Sequence, residues 1–408
     1  MDNITHSVVG FGVGELIQRS LPPEADAPRQ QVRHRLLLAA CALASNFPDL
    51  DLIFSGLAPA PIGYLLNHRG HTHTLLYLLP QGALLLALLW ALWPGARALL
   101  RESGPARRGL LYAVAAGLLL HIGMDFLNNY GVHPFYPFSG KWYYGDMVYI
   151  IEPVFWVAFG VPLAMAVPSR RARLVLLAVL PVLLLFVTMH GFLGWLSFAA
   201  LLSMGAAVAA LRFAHMQSRK ALLLALGICL AFVGVQMSAS FKARQAVTAA
   251  LVLADPQARV LDVALTAFPA QPLCWSFTSI ESDGEHYQLR RGHLSLAPNW
   301  LPVRACPPAL TGGVPDEAQA VVPGVLLSHA WQGSVASLRA LAAKDCRLNA
   351  WLRFARMPAL DGIAASDLRF AGTPRGNFTT LLVQPQPACP WYVPQWDMPR
   401  ADLLAARP

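Results

Sequence analysis

Charge is what this chain has least of. Asp, Glu, Lys and Arg make up 13% of its 408 residues, about half the roughly 25% of a soluble globular protein. That deficit excludes a wholly soluble fold. No basic stretch precedes an apolar run at the N-terminus, which reads MDNITHSVVGFGVGEL with an acid at position 2, so no cleavable targeting segment is expected. Zinc-finger, basic-helix and RNP-like segments are missing, and nucleic acid is excluded as a partner despite the net charge of +9. No CxxC, GxSxG, HExxH or phosphate-loop pattern occurs, which removes zinc ribbons, nucleophile elbows, zincins and P-loop enzymes.

What is abundant is apolar sequence, at 56% of residues and a mean hydropathy of +0.46. Runs near the length of about 20 residues needed to cross a bilayer recur from 74 to 239, and the periodicity predicts six spans at 74–93, 109–124, 147–167, 174–189, 193–211 and 221–239. Two shorter apolar stretches, 4–18 and 36–47, precede them. Beyond 240 the composition turns to Pro, Arg, Asp and scattered Trp. The expected architecture is an all-α polytopic membrane domain over 1–239, with six spans and two short N-terminal helices. A helical stem at 240–255 leads to a small, mostly-β extramembrane domain over 256–408. Its strand-like runs are 259–265, 275–280 and 352–354.

The loops alternate in charge. One set carries fourteen basic residues, among them Arg19, Arg33, Arg97, Arg107, Arg170 and Arg219; the other carries Arg69 and Lys141. The positive-inside rule then places the arginine loops in the cytoplasm, and the N-terminus and C-terminal domain outside, in a multi-pass inner membrane protein. Cysteine usage agrees. Cys41 and Cys229 fall in apolar runs, whereas Cys274, Cys306, Cys346 and Cys389 fall in the C-terminal domain. Four cysteines outside imply two disulfides, with three connectivities open.

Seven of the twelve histidines lie in the first 133 residues, with the most suggestive acids. The groups are Asp2 and His6; Asp49 and Asp51 in PDLD; His68, Arg69, His71 and His73 in HRGHTH; His121 and Asp125; and Asp146 with Glu152 in WYYGDMVYIIEP. Each falls at the same, outer end of its helix in the topology drawn from the arginines. The charge rule did not use these residues, so their convergence is independent information. His121 and Asp125 are one helical turn apart and share a face, where an unpaired intramembrane carboxylate is costly. Neutral imidazoles with carboxylates suit a divalent metal, Zn first and Mn second. The expected ligands are His6, Asp49, His68, His73, His121 and Asp125. Asp51 and Glu152 serve as further ligands or general base, and Arg69 steadies developing negative charge. Lys141 and Asn128 are expected to support the site.

These motifs resemble the YdjM-type family of membrane-bound, metal-dependent hydrolases, in a longer branch with an outer C-terminal domain marked by Pro272-Leu-Cys-Trp275 and a strand containing Tyr287. The resemblance spans about 1–155 and implies a helical site remotely related to zinc-dependent phospholipase C and P1 nuclease. The sequence departs from the family pattern at position 71, which is His, and at 152, which is Glu rather than Asp. The expected activity is metal-assisted hydrolysis of phosphoester or ester bonds, with the lipid bilayer as partner and a lipid as substrate. The competing reading is a non-enzymatic metal-binding membrane protein: a sensor, scaffold or transporter.

Overall fold

The computed structural model describes residues 1–308, 314–315, 318–370, 376–383 and 389–405. Ten helices build the N-terminal region: α1 (Asn3–Gln18), α2 (Ala27–Ala44), α3 (Ile62–Asn67), α4 (Leu78–Leu92), α5 (Pro94–Glu102), α6 (Gly104–Phe126), α7 (Pro153–Ala166), α8 (Arg170–Met189), α9 (Trp195–Phe213) and α10 (Ser218–Ala254). Among the described residues five helices are long and apolar enough to cross a membrane, or six if the pair Ile62–His73 and Leu78–Leu92, bent by 80°, counts as one span.

Two boundaries differ from the sequence expectation, each for a local reason. The run at 147–167 becomes helical only at α7, because Pro153 occupies the first turn, where its missing N–H costs nothing, and Glu152 caps it by accepting from the Val154 amide at 3.2 Å. The stretch at 36–47 belongs to a longer element, in which α2 is followed by a 3-10 helix at Phe47–Leu57 with Pro48 in its first turn. Its exposed face is apolar (Leu50, Ile53, Phe54 and Leu57), whereas Asp49 and Asp51 are buried.

Close backbone approach sets the α1, α2 and α6 core. A Cβ on Gly10 would lie 2.8 Å from Ala42 Cα, and one on Gly117 would lie 2.6 Å from the Cys41 carbonyl. Only glycine lets the helices approach this far.

The C-terminal domain consists of antiparallel sheets. β1 (Arg259–Phe268), β2 (Gln271–Ser282), β3 (His286–Ser295), β4 (Gln319–Val322) and β5 (Val325–Ser334) form one in the order β1-β2-β3-β5-β4; β6 (Pro358–Leu360), β7 (Ala364–Asp367) and β8 (Leu381–Leu382) form another. Helices α11 (Val335–Lys344), α12 (Cys346–Trp351) and α13 (Ala401–Leu404) complete it. The expected strand at 352–354 is instead the exit of α12, where Leu352 and Phe354 are buried in the core and Arg353 is half-buried. An apolar alternation there reflects burial rather than extension. The disulfides join Cys274 to Cys306 and Cys346 to Cys389.

Two features seat this domain on the helices. At about 1.5 Å per residue, the 37-residue α10 is roughly 55 Å long, nearly twice the hydrocarbon thickness. Its C-terminal part packs Ala239, Ala243, Val247 and Ala250 against Val263, Leu265, Trp275 and Phe277 of the larger sheet. A second core joins Ile62 and Leu65 of α3, with Tyr130 and Trp142 of the α6–α7 connection, to Trp351, Phe354 and Trp396.

Candidate metal centre

Five segments deliver the site. The 3-10 helix supplies Asp49 and Asp51; the C-cap of α3 supplies His68; a 3-10 turn at His71–His73 supplies His73; α6 supplies His121 and Asp125; α1 supplies His6. Arg69, between His68 and His73, adopts a left-handed backbone, φ +57°, and the two imidazoles meet different oxygens of Asp51, His68 at Oδ1 and His73 at Oδ2. His6, His73, His121 and Asp125 are at most 1% exposed.

One ligand atom each from Asp49, His73, His121 and Asp125 lies within 4.8 Å of all the others. His73 Nε2 is 2.9 Å from His121 Nε2, 3.4 Å from Asp49 Oδ1 and 3.2 Å from Asp125 Oδ2. His121 Nε2 is 3.5 Å from Asp49 Oδ1 and 3.6 Å from Asp125 Oδ2.

The outer hydrogen bonds assign the tautomers. His121 Nδ1 lies 2.7 Å from the Ser45 carbonyl, which can only accept, so Nδ1 carries the proton. His73 Nδ1 lies 3.2 Å from Asp51 Oδ2, a carboxylate oxygen that also accepts from the Thr72 hydroxyl at 2.7 Å and the Arg69 amide at 3.0 Å. Both Nε2 lone pairs therefore face one another across the cluster, and carboxylate–histidine pairing of this kind is how ligating imidazoles are held. Asp49 Oδ1 and Asp125 Oδ2 are buried without a hydrogen-bond partner. Two inward lone pairs beside two unpartnered carboxylate oxygens form a donor set that fits a divalent cation.

A second group, Asp49, Asp51 and His68, shares Asp49 with the first. His68 Nδ1 lies 3.2 Å from Asp51 Oδ1 and 3.9 Å from Asp49 Oδ1.

Other expected residues stand at the edge or elsewhere. His6 stacks on His121 at 4.1 Å between ring centroids and places Nε2 3.3 Å from Asp125 Oδ1, outside both groups. The Met1 amino group also contacts Asp125. Arg69 is buried, pairs with Asp125 at 2.9 Å, donates to Asn128 Oδ1 at 3.0 Å and lies 4.6 Å over the Tyr130 ring. Glu152 is away from the cluster: besides capping α7 it accepts from the Ala270 amide at 3.0 Å, tying that helix to the β1–β2 turn. His71 instead faces the Tyr392 hydroxyl at 2.9 Å. Lys141 does not support the site; it lines a different cavity. Asp146 belongs to the domain junction, where Arg356 grips it at 2.8 and 2.9 Å and pairs with Asp262 at 2.7 Å. Burial alone would raise the Asp262 carboxyl, but Arg356, Arg400 and Arg244 outweigh it and hold the group well below the carboxylate range.

Of the four clustered residues, Asp49 also lines a cavity of about 480 Å³, with His68 and Arg69 beside it and Thr266, Arg369, Phe370 and Phe378 of the C-terminal domain on the other side. Arg369 fixes that roof by donating to the backbone carbonyls of Asn129 (2.8 Å) and Tyr130 (3.1 Å). Neither the roof nor Thr72 carries a local sequence signal, because both act across tertiary contacts.

These features define a multi-pass membrane protein with a buried His/Asp group able to hold a metal ion. Residues 1–194, just under half of the chain, match the model of the family described as YdjM inner membrane protein. The chain is also similar to the "Uncharacterized protein YfhP" of Bacillus subtilis (strain 168), 27% identical over 158 residues, which are 39% of this chain and 44% of that protein. The chain thus spans less than half the length of the curated relative it matches. No solved structure gives a significant match.

Proposed function

We propose that this protein is a membrane-bound, metal-dependent hydrolase acting on phosphoester or ester bonds of lipids, with zinc as the metal ahead of manganese. The observation that carries the reading is the convergence of His73, His121, Asp49 and Asp125 on one buried point, with Asp49 reaching a cavity shared with the C-terminal domain. A scaffolding site needs no such cavity beside the metal. A divalent cation supplies Lewis acidity there, polarising an ester or phosphoryl oxygen and acidifying water.

The chain's own residues do the rest. Asp51 holds the His73 proton at Nδ1. Arg69, whose Nε has no hydrogen-bond partner, is the permanent positive charge beside the carboxylates. Asp51 with Asp49 and His68 offers a second cation position or the general base. The lipid substrate class rests on the 3-10 helix, which buries Asp49 and Asp51 while exposing Leu50, Ile53 and Phe54. That apolar face suits a bilayer surface directly beside the cavity. In this reading the arginine-rich loops face the cytoplasm and the metal centre faces out, as two disulfides in the covering domain also suggest.

Elemental mass spectrometry of detergent-purified protein, alongside His73→Ala and Asp125→Ala, tests the centre. Stoichiometric metal that both variants lose supports it, and turnover of a phospholipid or phosphodiester panel by the loaded protein supports the activity. Stoichiometric metal without turnover of any panel member transfers the protein to the sensor or scaffold class. No metal after Zn and Mn supplementation overturns the centre itself.

A further inference from the structure

Away from the metal centre, a cavity of about 1150 Å³ lies between α10, the α6–α7 connection and the C-terminal domain. It shares no lining residue with the cavity at the metal centre.

Its wall is strongly polarised. Met237, Phe241 and Arg244 follow one another on a single face of α10, at i, i+4 and i+7. Met237 is 57% and Phe241 64% exposed. Phe241 also ends the 221–241 stretch of that helix that carries no charge, with Lys242 and Arg244 immediately beyond it. The lip of the cavity thus lies where the chain passes from apolar to cationic, the level of a membrane–water interface.

Inside, five cationic side chains (Lys141, Arg244, Arg353, Arg356 and Arg400) face two carboxylates, Asp262 and Asp397. Arg356 and Arg244 are consumed by Asp146 and Asp262. Arg400 reaches Asp262 at 3.6 Å, is 8% exposed, and keeps Nη1 without an acceptor. Arg353 donates one hydrogen bond, to the Trp396 carbonyl at 2.7 Å, and its Nε has none. Lys141 is exposed, with its Nζ 5.5 Å over the Tyr143 ring. Among the described residues neither Lys141 nor Arg353 pairs with a carboxylate within 4 Å.

The geometry points to a binding site for the phosphate of an anionic lipid, its headgroup between Lys141 and Arg353 and its acyl chains running along Phe241 and Met237. Guanidinium and ammonium groups supply the charge and hydrogen bonds a phosphodiester needs. The exposed apolar lip is what a soluble phosphate would leave unused. The site stands whether or not the metal centre is catalytic.

Native mass spectrometry of the full chain, released from nanodiscs of phosphatidylglycerol or phosphatidylcholine, tests it with and without inorganic phosphate or glycerophosphate. Wild type should retain phosphatidylglycerol over phosphatidylcholine. Lys141→Glu and Arg353→Gln should each lower that retention roughly five- to tenfold, the scale of one interfacial cation, with metal content unchanged. Lys141 is exposed and unpaired, so its variant carries the test even if Arg353→Gln misfolds. Equal retention of both lipids, or undiminished phosphatidylglycerol retention in Lys141→Glu, overturns the site. Displacement of the lipid by millimolar glycerophosphate overturns the lipid as its ligand.

Discussion

Asp51→Asn separates a group that orients a ligand from the ligands themselves. Asp51 Oδ2 accepts from the Arg69 amide and the Thr72 hydroxyl and lies 3.2 Å from His73 Nδ1, which also meets the Thr72 hydroxyl at 3.0 Å. Asparagine keeps the volume and one acceptor oxygen but removes the charge that holds the His73 proton on Nδ1. Once that proton is free to sit on Nε2, it occupies the position facing His121 Nε2 at 2.9 Å, and the inward lone pair is lost for that fraction of molecules. Changes of this outer kind cost about 10- to 100-fold in metal affinity, or about 1.4–2.7 kcal/mol at room temperature. Losing a direct ligand such as Asp125 should abolish stoichiometric binding. Calorimetric titration of chelator-stripped protein with Zn²⁺ reads both the dissociation constant and the number of ions. An unchanged number with weaker binding fits Asp51 as a positioning residue; a drop by one ion fits it as a ligand with Asp49 and His68. Wild-type affinity and stoichiometry in Asp51→Asn would refute the reasoning.

Three further outcomes follow from the packing. Arg356→Leu leaves the buried Asp146 with Arg244 alone, at 2.6 Å, so stability should fall, by less than the about 3–5 kcal/mol that a wholly unpaired buried charge costs, read as a lower thermal midpoint and faster proteolysis of the C-terminal domain. Cys389→Ser opens a loop of 43 residues, for which chain entropy gives about 4 kcal/mol; chemical denaturation of the variant against wild type measures it. Phe378→Ala enlarges the roof without touching the metal donors, so metal content should stay at wild type while lipid-substrate turnover changes; loss of metal in this variant would contradict the division between roof and centre.

Much of the donor set was legible in sequence because ligand chemistry restricts residue type and a helix restricts spacing: His121 and Asp125 had to share a face, and HRGHTH had few bland explanations. What could not be read was direction. His68 and His73 go to different groups, with Arg69 in a left-handed backbone between them, a conformation that a non-glycine residue does not announce. Glu152 looked like an intramembrane ligand, yet its partner amide is Ala270, 118 residues away. The Glu-Pro pair was nevertheless a readable helix start, and weighting it would have begun α7 at Pro153. Four of the six expected spans, 109–124, 174–189, 193–211 and 221–239, fall on helices long enough to cross a membrane; 74–93 is part of a bent pair, 147–167 gives only the 14-residue α7, and the fifth long element is Ala27–Leu57. The stretch 352–354 shows a further limit: burial alone does not distinguish a strand from a turn packed into a core.

The roof over the metal centre has a consequence for the order of biosynthesis. The donors are complete once Asp125 has been made, but the cavity wall needs Thr266, Arg369, Phe370 and Phe378. During translation the donor set therefore exists uncovered while some 250 further residues are added. Only a chain that has made and seated its second domain completes the wall of that cavity.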